Sequence, residues 1–144
     1  MGKLVKSKIA KIKFDHQVWK MKEAKTKEEK KKRKEKAIKN AFIHCQCKEN
    51  YNKIFESIIN FSLMEDEENF CNYKSIEDME RSPQYDIIYN KKYDELIENG
   101  TLKAKRKELS DIQCYDMMMK ENELKNKYYD IRQEVLDNMA DDNN

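Results

Sequence analysis

The stretch His16–Met64 reads HQVWKMKEAKTKEEKKKRKEKAIKNAFIHCQCKENYNKIFESIINFSLM. It holds neither Gly nor Pro and few β-branched residues, so nothing in it interrupts an α-helix. Asp15 stands where an N-cap belongs. Lys20 to Lys36 is nearly all Lys, Glu and Ala, which are strong helix formers, but it offers no apolar stripe. Such a helix stands in solvent or lies on a partner. The stripe returns at Ile38, Phe42 and Cys45, slips in phase near residues 47–50, and continues through Tyr51, Ile54, Phe55, Ile58 and Ile59. This predicts one long helix, or two nearly collinear ones over 16–48 and 50–63. As a single rod it would run about 70 Å, longer than a compact domain of this size is wide. The fold class that follows is all-α and elongated, without a large compact core.

Outward from this stretch, residues 1–14 form a basic N-terminal arm with five lysines and no acid. Leu4, Val5, Ile9 and Ile12 fit one helix face, while Lys11 to Phe14 alternates as a strand would. A mitochondrial presequence would be richer in Arg and Ser. Residues 15–64 divide into the solvated basic half, 20–36, and an amphipathic half, 38–63. An acidic connector, 65–83, contains Ser75 as the N-cap of a short helix over 76–81. Pro83 opens the next helix, and Asn99-Gly100 closes it. Thr101 then caps a final helix carrying Leu109, Ile112, Met119, Leu124, Tyr128, Ile131, Val135 and Met139. The expectation for 84–140 is a helical hairpin folding back on 38–63, ahead of a frayed acidic tail at 141–144.

Composition narrows the function classes. Val, Ile, Leu and Phe supply 28 of 144 residues, which makes a thin core. With two Gly and one Pro, the chain lacks material for the tight turns of a sandwich or barrel and for a phosphate-binding Gly-rich loop. No apolar run reaches the length of a membrane span, so no membrane insertion is expected. The formal charge of +2 conceals a division, +12 over residues 1–48 and −10 over 49–144. A basic segment draws polyanions through phosphate contacts and counterion release. It also suits pairing with the chain's own acidic half, and the excess of Lys over Arg, 26 to 4, is what AT-rich coding would produce.

Catalytic and metal chemistry find little support. Cys45 and Cys47 would point about 200° apart on a helix, so one ion cannot take both without unwinding and a further thiol from Cys71 or Cys114. His44 and Cys45 are adjacent and diverge by about 100°, which defeats a nucleophile–base pair. Asp66 to Glu77 has the length of a calcium loop, but Phe70 and Cys71 occupy positions that need a ligand and a Gly. No catalytic residue, cofactor, metal or small-molecule substrate is assigned, and the chain is expected not to be an enzyme. The run Lys31-Lys32-Arg33-Lys34 looks like a simple nuclear import signal. The expected location is intracellular and not secreted, with nucleus, nucleolus and mitochondrion as candidate compartments.

The leading expectation is a helical subunit of a larger assembly, such as a ribosomal or other ribonucleoprotein accessory protein. Its basic segment would contact RNA or another polyanion through Lys25, Lys27, Lys30, Lys31, Lys32, Arg33, Lys34 and Lys36. Ile38, Phe42, Ile54, Phe55, Ile58, Leu124, Tyr128, Ile131 and Val135 would pack on other protein subunits. The rival is a coiled-coil scaffold or cytoskeletal adaptor with no nucleic-acid contact. A sustained heptad register would favour it, and the skips in the stripe argue against.

Overall fold

Helix after helix follows from the scarcity of Gly and Pro. The computed structural model describes residues 2–65, 73–102 and 109–142, and among them no strand occurs. The helices are α1 (Lys3–Glu23), α2 (Lys27–Cys45), α3 (Lys48–Met64), α4 (Ile76–Glu80), α5 (Tyr85–Glu98) and α6 (Asp111–Asp142). The all-α class is thus as the sequence predicts. Its boundaries are not.

Helix starts before the expected position and breaks where no break is expected. α1 runs through the supposed basic arm, and Asp15 lies inside it, paired with Lys11 at 3.1 Å one turn away. The chain then turns at residues 24–26, where Ala24 is extended and the Thr26 hydroxyl accepts the Glu29 amide at 3.1 Å. Thr26 to Glu29 has the form of a capping box, a start signal that needs no Gly or Pro. Glu28 and Glu29 in the first turn add a favourable interaction with the helix dipole. The stretch is therefore divided among three helices: the break at 24–26 is unexpected, whereas the one at Gln46 and Cys47 falls beside the phase slip expected near 47–50.

α1 and α2 form an antiparallel helical hairpin: Gln17 meets Arg33 near the turn, and Ser7 meets His44 at the open end. The seam is built from Ala10, Phe14 and Val18 against Ala37, Ala41 and Cys45, all buried. Two alanines one turn apart, both fully buried, let the α1 backbone approach α2 closely and leave room for the Phe14 ring. Of the stripe expected on α2, Cys45 is buried, while Ala37 and Ala41 take the seam and leave the adjacent Ile38 and Phe42 half-buried. The chain divides into two compact units, and this hairpin belongs to the first, Met1–Ile54 with Arg106–Met118. Cys114, Tyr115, Met117 and Met118 from the start of α6 are also buried there, with Tyr115 meeting Phe14 edge-to-face at 6.1 Å.

The second unit, Phe55–Lys105 with Met119–Asn144, is centred on the part of α3 from Phe55 onward. Every residue from Ile58 to Met64 is buried, a pattern that requires neighbours on all sides. Tyr85 from α5 donates to Asn60 Oδ1 at 2.8 Å, and Tyr89 donates to Glu56 Oε2 at 2.7 Å. On α6, Tyr128 packs its ring 5.7 Å from Phe61, and Lys127 pairs with Glu65 at 3.0 Å. Both helices of the expected pair therefore pack on α3. Ser75 caps α4 as predicted, its hydroxyl accepting the Asp78 amide at 3.2 Å. Gly100, at φ +82°, ends α5. The last helix begins at 111 and not at Thr101, because Ser110 and Gln113 make a reciprocal capping box at 3.2 and 2.9 Å. Of the connector, 66–72 lie outside the described residues, as do 103–108 and the last two residues of the tail.

Candidate polyanion-binding surface

The capped start of α2 fixes where the lysines go. Residues 25–36 contain eight basic and three acidic side chains. Successive side chains on a helix turn by about 100°, so a nearly continuous basic run surrounds the axis instead of forming one stripe. Lys25, Lys27, Lys30, Lys31, Lys32, Lys34 and Lys36 are all exposed. Two members of the run have second roles. Arg33 is half-buried and donates from Nη1 to Gln17 Oε1 at 3.3 Å, bracing the hairpin near its turn. Lys34 holds its ammonium 5.6 Å from the Tyr115 ring centroid, within cation–π range.

The ion pairs lie elsewhere. Lys11 pairs with Asp15, Lys53 with Glu49, Lys92 with Glu95, and Lys127 with Glu65 and Glu123. Among the described residues, none of Lys25, Lys27, Lys30, Lys31, Lys32 or Lys36 meets a carboxylate in an ion pair. With eight basic against three acidic side chains, this half-helix keeps a net positive field, the condition under which a basic segment attracts and steers a polyanion.

The expected partner-packing residues divide differently. Ile54, Phe55, Ile58, Leu124 and Tyr128 are buried within the chain itself, while Ile38, Phe42 and Ile131 are half-buried. The Val135 side chain lies outside the described set.

A polar cluster closes the open end of the hairpin. With its proton on Nδ1, His44 donates to the Ser7 carbonyl at 3.0 Å, and the same nitrogen lies 2.9 Å from Ser7 Oγ. Asn50 donates from Nδ2 to Ser7 Oγ and to the His44 carbonyl, the latter at 3.2 Å. Burial lowers the His44 pKa below 6.5, Lys11 works in the same direction, and the Ser7 hydrogen bond opposes them. The constellation has the residue types of a nucleophilic site, but Ser7 is buried at 3% exposure and the imidazole proton is committed to a backbone carbonyl. Its chemistry here is that of a latch.

The Cys45 thiol hydrogen-bonds that of Cys114 and lowers the Cys114 pKa, with burial acting the other way. Two thiols fall short of the four ligands of a structural zinc site, and among the described residues no third His, Cys, Asp or Glu joins a group with them. Cys71 lies outside the described residues. No described helix is long and apolar enough to cross a membrane.

Sequence reading missed the contacts of Arg33 and Lys34, because Gln17 and Tyr115 become their neighbours only through tertiary packing. The Thr26 cap, by contrast, carried a local signal. No family model, curated protein or solved structure matches the chain.

Proposed function

We propose that the protein is a non-enzymatic helical subunit of a larger assembly, of the kind that accompanies ribonucleoproteins, and that α2 grips RNA. One observation carries the reading: six exposed lysines at the start of α2 and its preceding turn have no carboxylate partner among the described residues. Lysines arranged around a helix supply point charges for phosphates and no ordered fork for reading base edges. Affinity is therefore only weakly dependent on sequence and strongly dependent on salt.

The test replaces Lys30, Lys31, Lys32 and Lys36 by Gln, sparing Arg33 and Lys34 because both also make contacts within the hairpin. Gln is nearly as good a helix former as Lys, so helix content measured by circular dichroism stays constant. In a fluorescence titration with single-stranded RNA, affinity falls and the log–log salt slope shrinks by about 0.7 per lost contact. Equal and poor binding by both proteins at low salt defeats the RNA reading. The scaffold or adaptor reading then takes its place, with the same lysines serving solubility or an acidic protein.

A further inference from the structure

α1 has two apolar faces, and only one is buried. Opposite Ala10, Phe14 and Val18, a second row of Val5, Ile9, Ile12, His16 and Trp19 recurs at spacings of four, three, four and three. All five are exposed, the four apolar ones from 37% at Ile9 to 69% at Ile12. A row this narrow with this spacing is a coiled-coil seam; the face a helix turns to a globular core is broader. The positions flanking it are Lys6, Lys13 and Lys20 on one side and Lys8, Asp15 and Lys22 on the other. Flanking charges select the partner, and five of these six are lysines. Pairing α1 with another α1 sets lysine against lysine. The seam fits an acidic helix.

The chain carries such a helix. Among the described side chains Tyr128 is the last buried one of α6, which continues to Asp142. Over this extension Tyr129, Gln133, Leu136 and Ala140 form an exposed row at spacings of four, three and four. Beside it runs a ridge of Asp130, Glu134, Asp137 and Asp141, also exposed. Carboxylates near a helix C-terminus oppose its dipole, and the last turn of α6 has no basic residue to offset them. The row on α1 spans about 21 Å and the one on α6 about 17 Å.

We propose that the end of α6 from one copy of this chain docks antiparallel on the outer face of α1 of a second copy. In that direction Asp130 and Asp137 lie beside the Lys6, Lys13 and Lys20 flank. The parallel direction puts those lysines beside Arg132. Antiparallel docking also brings the acidic C-terminal end of α6 to the positive N-terminal end of α1.

Sedimentation velocity of the full chain, free of nucleic acid and over a wide concentration range, tests this. The expected result is self-association that weakens as salt rises. Replacing Lys6, Lys13 and Lys20 by Glu weakens it by about tenfold or more, as does replacing Asp130 and Asp137 by Lys. An equimolar mixture of the two variants associates again, since each restores one complementary pair of surfaces to the other. Ile12→Asp, at an exposed seam position, also weakens association while leaving helix content intact. A chain that stays monomeric throughout overturns the proposal, as does association indifferent to both charge sets or a mixture no better than its components. A monomer that floats with phosphatidylserine vesicles also overturns it, giving the α1 face to a lipid surface instead.

Discussion

The hairpin of α1 and α2 and the surroundings of α3 are both helical, yet they are stabilised by opposite means. In the hairpin, small residues bring two helices together. Ala10, Ala37 and Ala41 form much of the seam, Phe14 fills it, and a polar cluster closes one end. Around α3, bulk does the work: Phe55, Ile58, Ile59, Leu63 and Met64 are at most 1% exposed. Two tyrosines of α5 then tie that helix to it through Asn60 and Glu56. A helix that packs through alanine keeps its large side chains free for the outside. α1 uses that freedom on an exposed apolar row, and α2 on lysines. α3 retains only short exposed runs.

The sharpest way to break this contrast is to truncate the one large ring in the hairpin seam. Phe14→Ala is expected to cost about 3–5 kcal/mol in urea unfolding, because the alanines around it cannot fill the space. Ile12→Ala, two residues away but exposed, should stay within about 0.5 kcal/mol at concentrations where the chain is monomeric. Equal effects would erase the distinction between the two faces of α1. In the second unit, Leu63→Ala should cost about 2–5 kcal/mol. Hydrogen exchange locates each loss: Phe14→Ala deprotects α1 and α2 first, whereas Leu63→Ala deprotects α3 and α5.

Smaller effects sharpen the account of the hairpin. Thr26→Ala should cost about 1 kcal/mol, since the Glu29 amide loses its cap. The latch gives a pH dependence whose sign follows from burial. His44 has a lower pKa in the folded chain than its ordinary value of 6.5, so the unfolded chain binds the proton more tightly. Stability is therefore full above pH 6.5 and declines as pH falls toward the folded-state pKa. Thermal unfolding across this range, with and without His44→Gln, checks it: the variant should lose the slope, and a wild type more stable in acid would contradict the assignment.

Composition and helix propensity made the fold class legible, and the local signals at Ser75 and at Asn99-Gly100 were read correctly. The hairpin was missed for two physical reasons. Alanine counts as a helix former in a propensity reading and as a core residue in a packed seam, and only tertiary structure shows which role it takes. Neither Gly nor Pro marks the break at Thr26; Thr26 to Glu29 and Ser110 to Gln113 stop and start helices through side-chain hydrogen bonds instead. In the candidate surface, the identity of the lysines could be read from sequence. That Arg33 and Lys34 also make contacts within the hairpin could not, since Tyr115 is far away along the chain.

That distance has a consequence for how the chain comes off the ribosome. The first unit is discontinuous: its hairpin is made early, but the tyrosine that meets Phe14 and Met21 belongs to the last helix, 94 residues after Met21. At ordinary elongation speeds the hairpin, complete at Cys45, waits about 4–14 s for that ring to be synthesised. Throughout the interval one side of Phe14 lacks its final covering. Lys11, whose ammonium lies 5.2 Å from the Phe14 ring centroid, is then the solubilising charge closest to the unfinished side of the core.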